Sequence, residues 1–506
     1  MFRKSNYIKM GVALSYIAML VSLLGNLFIS NRVLNLIGDH DYGLFSFVNS
    51  ITSWIPILST ALGGSYYRFA TIEANENNES TSKTNTVYFK SLIAISAVIL
   101  LVLGSIVAYC LLNELNFLHF NYRDSRLIYV LFGILTINIV IIMSSSIFNL
   151  YVCYKKRYIF NKNLLIVSTV LTFLGNFLLS YYTRNILIMS LNIVFVSILN
   201  AFCNYIYCRK NLEFTFAEIS PDEFRMLMRP VISFSGIILI NAVVDQINTS
   251  IDKTLLGIYS CPENVTIYQM GQQFNVQLIT MSVAVSSIFA PKIYELCIKE
   301  QWLQINKLYI LISKTQTVIL SFVAFGFLAC GRDFIVWWIG DKRINTFIVA
   351  SVLMLIDLCP LTLNASIEIQ RARNRHKFRA YAYLAFAVMN LLLSILFIKM
   401  FKPENVVFAC LLGSVIARIC SHWISMNIYN AIVIKLPVKE YMINLIVYIF
   451  MGILGVVITR IITINIYCKE NRALFRFMYE GITFVIVYII LVVLKDKRFI
   501  SELIKK

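Results

Sequence analysis

Acidic residues are scarce in this chain: 26 Asp and Glu among 506 residues, against 45 Lys and Arg. Charge of either sign is thin, at 14%, where a soluble domain carries about 25%. Histidine is rarer still, with His40, His119, His376 and His422 in four separate segments, and the 11 cysteines include no CxxC pair. These shortages argue against a zinc cluster or a disulfide framework and leave reduced, mostly buried thiols as the expectation. No G-x-x-x-x-G-K-[ST], G-x-S-x-G or H-E-x-x-H occurs, so direct ATP use and standard hydrolase chemistry have no support. No RNA- or DNA-binding motif accompanies the basic excess, and nucleic acid is not an expected partner.

What is abundant is apolar. Hydrophobic residues make up 59% of the chain, against about 45–50% in soluble domains. The apolar runs predict an all-α polytopic membrane protein with fourteen spans, at 10–36, 43–66, 88–112, 127–151, 162–183, 185–208, 231–257, 265–290, 308–330, 345–369, 378–400, 404–430, 441–464 and 476–494. The first run follows Arg3, Lys4 and Lys9 as a signal peptide would. It is longer than a typical h-region of about 7–15 residues, and no small-x-small cleavage site follows, so it reads as a retained span. The longer connections are 67–87, rich in Asn, Glu, Ser and Thr, and 209–229. The latter contains SPDEFRMLMRP, readable as an amphipathic surface helix or as a plain linker.

Lys and Arg fall unevenly on alternate connections. The set that includes both termini carries 30 of the 45, among them YKKRY at 154–158 and RARNRHKFR at 371–379, and the opposite set about 14. The positive-inside rule then expects both termini in the cytoplasm, and most of the net +19 is topology plus attraction to anionic lipid. No connection on the outer side is long enough to fold as a domain. A faint echo links RVLNLIGDHDYGLFSFVNSI after the first span to KTLLGIYSCPENVTIYQMGQQF after the seventh. A six-span repeat keeps its membrane orientation, and two such halves facing each other would enclose a central cavity.

Ionisable groups inside spans are the first candidates for function, since a mid-bilayer charge costs about 2.5–3.5 kcal/mol on the insertion scale. Arg418, Asp245 and Asp357 fall near span centres. Arg418 is expected to serve function or an ion pair, with Asp357 or Asp245 as the partner. Arg32, Lys253 and Arg460 lie near outer span ends, where they either line a path or snorkel to headgroups. Arg68, just past an inner end, has the same two readings. In NAVVDQINTSIDK, residues Asn241, Asp245, Asn248 and Asp252 share one face of span 7, with Val243 and Ile247 behind. In span 8, Gln269, Gln272, Gln273 and Gln277 lie near one face. Amides hydrogen-bond sugar hydroxyls well, and equally well glue helices together.

The order of RVLNLIGDHDYGLF, GGSYYRFA, IDKTLLGIY, APKIYEL and DFIVWWIG through fourteen spans resembles the polysaccharide flippases of the multidrug/oligosaccharidyl-lipid/polysaccharide (MOP) superfamily, the O-antigen and capsule-repeat flippases. The resemblance implies two six-helix bundles around a central cavity plus two C-terminal helices: lobes at 1–209 and 231–434, a cytoplasmic connector at 210–230, and the added helices and tail at 435–506. It implies alternating access and a polyprenyl-diphosphate-linked oligosaccharide moved from the inner to the outer leaflet of a bacterial cytoplasmic membrane. Partners would be that lipid-linked substrate, membrane lipids and other polysaccharide-assembly proteins, with no cofactor. Basic residues Arg32, Arg68, Lys253 and Arg418 would meet the diphosphate; Asn241, Asn248, Gln269, Gln272 and Gln273 would meet the sugar. Asp245, Asp252 and Asp357 would serve H⁺ or Na⁺ coupling or pair with those cations. The alternatives are a multidrug/toxin cation antiporter of the same superfamily, a lipid-linked peptidoglycan-precursor flippase and, from another class, a membrane polymerase or acyltransferase. Excess cavity cations count against the antiporter. Short outer connections and the lack of a nucleophile–base pair count against the enzyme.

Overall fold

The computed structural model describes residues 14, 17–76, 80–373, 375, 377–467 and 472–505. Arg3, Lys4, Lys9, His376 and the side chain of Asn241 therefore lie outside the described residues. The described residues are mostly helical, with no strand among them. Its helices are α1 (Ile17–Ile37), α2 (Asp39–Thr52), α3 (Ile57–Glu76), α4 (Ser82–Leu112), α5 (Tyr122–Tyr154), α6 (Tyr158–Thr183), α7 (Ile186–Asn211), α8 (Pro221–Tyr259) and α9 (Pro262–Ile298). They continue with α10 (Trp302–Ile339), α11 (Asn345–Ile356), α12 (Leu358–Thr362), α13 (Asn364–Ala372), α14 (Lys377–Met400), α15 (Val406–Arg418), α16 (Val438–Tyr467) and α17 (Ala473–Lys505).

Among the described residues ten helices are long and apolar enough to cross a membrane, and twelve spans result if each of two bent pairs counts as one. The bent pairs are α2 with α3, turning 48° around Pro56, and the two parts of α8, Pro221–Gly236 and Ile238–Tyr259, turning 41°. Expected spans 8 and 10 fall elsewhere. Span 8 lies in α9, where Gln269, Gln272, Gln273, Asn275 and Gln277 dilute the hydropathy. Span 10 is interrupted at Asp357 and Leu363 into α11, α12 and α13.

The chain divides into two compact units, 1–266 and 267–506. In the first, α4–α5, α5–α7 and α6–α7 pack side by side. One end is held by buried aromatics, with Tyr66, Tyr88, Tyr151 and Phe214 in one cluster. Their hydroxyls are satisfied inside it: Tyr66 donates to Asn85 Oδ1 at 2.6 Å and Tyr151 to the Leu212 carbonyl at 3.0 Å. Glu73 caps the start of α4 by accepting from the backbone N–H groups of Lys83 (2.9 Å) and Thr84 (2.7 Å). The stretch after α7 is pinned there too, by mutual bonds between Thr86 and the Ala217 backbone. SPDEFRMLMRP proves to be the first turns of α8, continuous with span 7. Ser220 is the N-cap, Pro221 opens the helix, and Asp222 and Glu223 lie in its first turn.

In the second unit α16 and α17 pack on α10. Leu320, Phe325, Phe484 and Tyr488 form their shared core, and Gly452 lets α16 approach so closely that a Cβ there would sit 2.1 Å from Phe325 Cδ2. Large apolar side chains such as Val98, Leu101, Ile106, Leu392, Phe450 and Ile461 stay exposed, as a lipid-facing surface requires.

Two glycines carry positive φ, Gly38 (96°) and Gly340 (89°) among the described residues. Each ends a helix and turns the chain into a segment opening on aspartate, Asp39 or Asp341. A Cβ meets strain in that backbone region, which is why glycine fills both turns.

Candidate functional site

In the second unit two interrupted helices meet. The α11 helix stops at Asp357, which caps the break with its own backbone: its N–H bonds the Leu353 carbonyl at 3.1 Å, and its carbonyl accepts from Leu361 N–H at 3.0 Å. Facing it, α15 ends at Arg418 and continues as π-helix over Ile419–Met426. Short π-helical turns recur at functional positions, because they leave backbone carbonyls for side chains to take. Here Asn427 donates to the carbonyls of His422 (3.1 Å) and Trp423 (3.0 Å). Trp423 Nε1 donates to the Ile356 carbonyl at 3.2 Å, closing one break with a side chain from the other.

Arg418 Nη1 donates to Asp357 Oδ2 at 2.7 Å, and both residues are buried. Asn275 of α9 donates to the same oxygen at 2.7 Å. Two donors on one carboxylate oxygen hold the anion in place without a second acid. His422 packs against Tyr383, with ring centroids 4.4 Å apart and the planes tilted by 41°, and bonds Ser421. Further along, Gln370 donates to Asn430 Oδ1 at 2.8 Å and Asn430 to Ser366 at 3.1 Å, tying α13 to a second π segment, Asn430–Ile434. Of the two partners open to Arg418 in the sequence, the structure selects Asp357.

In the first unit the bent pair α2–α3 and the α8 helix run antiparallel along one continuous seam. At one end Thr266 Oγ1 donates to the Asp39 carbonyl at 2.7 Å, and His40 sits between Glu263 and Asp124, 3.1 Å from each. Next, Gly43 lies bare against the Pro262 carbonyl and Gly257 against the Phe47 ring; a Cβ would come within 2.0 Å and 1.9 Å respectively. Hydroxyls take over in mid-seam. Ser50 meets Thr254 at 2.9 Å, Ser53 meets Ser250 at 3.1 Å, and Gln246 donates to both Ser53 and Ser250. Ser235 bonds Ser65 at 3.0 Å, and Arg68 lies over the Phe234 ring at 4.6 Å. Small and hydroxyl-bearing faces of this kind let two helices approach closely in a membrane. Glu263 titrates below its ordinary value: burial alone would push it up, but its backbone N–H and His40 outweigh that.

The predicted residues scatter over this frame. Arg32 and Arg68 are exposed, whereas Lys253 and Asp252 are buried. Along the Asn241–Asp245–Asn248–Asp252 stripe, exposure falls stepwise: Asp245 is exposed, Asn248 half-buried and Asp252 buried, while Ile247 behind is buried. Gln269 and Gln273 are half-buried and Gln272 is buried. Arg460 does not reach out alone to headgroups; its Nη1 bonds Glu480 Oε1 at 2.7 Å. Sequence reasoning missed Asn275, though it lies on the same helix as the glutamines it singled out. It also missed the seam row Gln246, Ser250, Thr254 and Gly257, whose spacing of 4, 4 and 3 was visible. Among the described residues no three His, Cys, Asp or Glu side chains are grouped to hold a metal ion.

Comparison with known proteins places this architecture. The fold is similar to an inward-facing multidrug resistance MATE family transporter of the MOP superfamily (TM-score 0.57, 10% identity, 80% of this chain and 93% of that one). It is also similar to the D35N mutant of the Vibrio cholerae MATE transporter VcmN (TM-score 0.54, 11% identity, 87% and 100%). A comparison with curated proteins by sequence finds no match. The family model described as "Polysaccharide biosynthesis protein" matches residues 9–291. With more than half its length inside that match, on the helical fold of the MOP transporters, the chain belongs to the polysaccharide biosynthesis protein family.

Proposed function

We propose that this protein is a flippase that carries a polyprenyl-diphosphate-linked oligosaccharide from the inner to the outer leaflet of a bacterial cytoplasmic membrane by alternating access, with both termini cytoplasmic. In this reading 1–209 and 231–434 are the two repeats that move, 210–230 is a cytoplasmic connector, and 435–506 is an addition to them. The observation that carries the reading is the buried Arg418–Asp357 pair at two opposed helix breaks, in a chain of this family. A sugar diphosphate cannot cross hydrocarbon unaided, since each unpaired polar group costs several kcal/mol there. Interrupted helices at mid-membrane are where transporters put polar sites.

The pair also supplies a coupling chemistry. Asp357 and a diphosphate are both anions that Arg418 can bind, and one guanidinium cannot satisfy both fully. Loading Asp357 with H⁺ or Na⁺ frees Arg418 for the diphosphate; releasing the ion restores the pair and expels the phosphate. Asn275 keeps the carboxylate aimed during the exchange. Gln269, Gln272 and Gln273, on the same helix as Asn275, offer amides to sugar hydroxyls. Lipid and assembly proteins are the remaining partners in this reading.

A second reading, the cation antiporter, is favoured by one observation: Asp245 is exposed, as an acid that meets cationic drugs would be. Deleting the gene decides between them. The flippase reading expects loss of surface polysaccharide and accumulation of lipid-linked oligosaccharide on the inner leaflet, with drug susceptibility unchanged. Normal polysaccharide with raised drug susceptibility would sink it.

A further inference from the structure

At one end of the second unit, four charged side chains come together where α16 and α17 pack on α10. Asp333 of α10 pairs with Arg476 of α17 at 2.8 Å, and Glu480, one turn further along α17, pairs with Arg460 of α16 at 2.7 Å. Both acids are buried, Glu480 to 1% exposure and Asp333 to 2%. The Glu480 and Asp333 carboxyls lie within hydrogen-bond reach of each other. Glu480 Oε1 is taken by Arg460, but Oε2 is buried and meets no hydrogen-bond partner among the described residues. The remaining titratable neighbour, Cys330 of α10, gives its thiol to the Gly326 carbonyl at 3.1 Å and offers nothing to Oε2.

Two facing carboxylates in a site of low dielectric repel, and a buried oxygen without a donor costs about 1–3 kcal/mol. One proton removes both difficulties. Placed on Glu480 Oε2, it donates to the Asp333 carboxylate, while Oε1 still accepts from Arg460 and Asp333 still accepts from Arg476.

We propose that Glu480 and Asp333 form a proton-binding carboxyl pair that staples the C-terminal helix pair to α10. The bound proton comes from water and returns to it; no bond other than O–H forms or breaks. With both termini cytoplasmic, as proposed above, this end faces outside, and the Arg460 side chain is 36% exposed, so exchange is with the external medium. Only the side of exchange rests on the reading above; the carboxyl pair uses none of its residues.

The test is thermal unfolding of the full-length protein in lipid nanodiscs, from mildly acidic to alkaline buffer, with infrared spectra of the same samples. Glu480→Gln copies the protonated acid: its carbonyl accepts from Arg460 and its amide donates to Asp333. The proposal expects this variant to match the wild type at neutral pH. Deprotonation leaves two facing carboxylates, so the wild type should lose stability as pH rises, and Glu480→Gln should lose at least about 2 °C less over that range. A protonated-carboxyl band in the wild-type spectrum should be missing from Glu480→Gln and shifted in Asp333→Asn. A Glu480→Gln protein that fails to fold, or melts lower with the wild-type pH slope, would overturn the proposal, since Glu480 would then be an ionised partner of Arg460. An infrared band unchanged by Glu480→Gln would overturn it equally.

Discussion

Gly43 and Pro262 touch without a side chain between them: a Cβ on Gly43 would lie 2.0 Å from the Pro262 carbonyl oxygen. The neighbouring contact differs in kind, because Gly257 faces the ring of Phe47. A backbone carbonyl cannot turn aside, whereas a ring can be exchanged for a smaller group. Gly43→Ala should therefore cost the first unit about 1–3 kcal/mol, and no single partner change should restore it. Gly257→Ala should be rescued in part by Phe47→Leu. Melting of the purified variants measures both, and equal rescue at the two sites would contradict the seam as described.

The mid-seam hydroxyls give a second test. Ser50 and Thr254, 2.9 Å apart through their oxygens, are close enough for a cysteine pair. In a background without native cysteines, Ser50→Cys with Thr254→Cys should cross-link under mild oxidant, and each single variant should not. Absence of the cross-link in folded protein would mean that α2 and α8 do not meet there.

Arg418 is buried against Asp357. Removing one partner leaves an uncompensated charge, so Arg418→Ala should destabilise the protein by about 3–5 kcal/mol. Replacing both residues with well-packed apolar side chains should recover much of that stability and none of the polysaccharide export. Arg418→Lys should retain part of the export, a point charge standing in for a fork. Export persisting in the apolar double variant would remove the pair from the transport path.

The Glu263 carboxyl, held below its ordinary value by its backbone N–H and His40 against the push of burial, makes a pH prediction. A carboxylate depressed in the fold stabilises it above the unfolded value, and that contribution fades as pH falls through the folded value. Glu263→Gln should therefore show a shallower loss of melting temperature on the acid side than wild type. A steeper loss would reverse the sign of the argument. His40 also bonds Asp124, so Asp124→Asn is the matched control.

Topology is tested directly. A reporter after Lys506 should be cytoplasmic, and one inserted near Asn121 external. Both on the same side would break the fourteen-span reading.

The helices themselves were plain in the apolar runs, since hydrocarbon demands continuous apolar length and little else. Which charges meet was not. Asp357 and Arg418 are 61 positions apart, and sequence left Asp245 an equal partner, because pairing between helices is decided by packing. Arg460 read as lining a path or reaching for headgroups, and not as half of an ion pair, because Glu480 lies at the edge of the next span, where a charge is ordinary. The α8 helix shows the subtler loss. Its carboxyls and amides drew the eye, while Gln246, Ser250, Thr254 and Gly257 form the face that packs. Hydroxyls and glycine register as neither polar nor apolar in a pattern search, yet they are what close helix contact requires.

The π-helical winding after Arg418 stores spare chain length in the middle of a helix. Most substitutions in 419–426 would leave the winding in place. A π turn holds about one residue more than an α turn, so deleting one residue here would let the segment close to an ordinary α-helix with little rotation of what lies beyond, whereas a deletion in an ordinary α-helix rotates it by about 100°. Asn430 would stay near Gln370 and Ser366, and Arg418 beside Asp357, while the carbonyls that Asn427 now takes would return to the helix ladder. A one-residue deletion, which most membrane helices absorb only at their ends, is therefore a change that the middle of this one can take up.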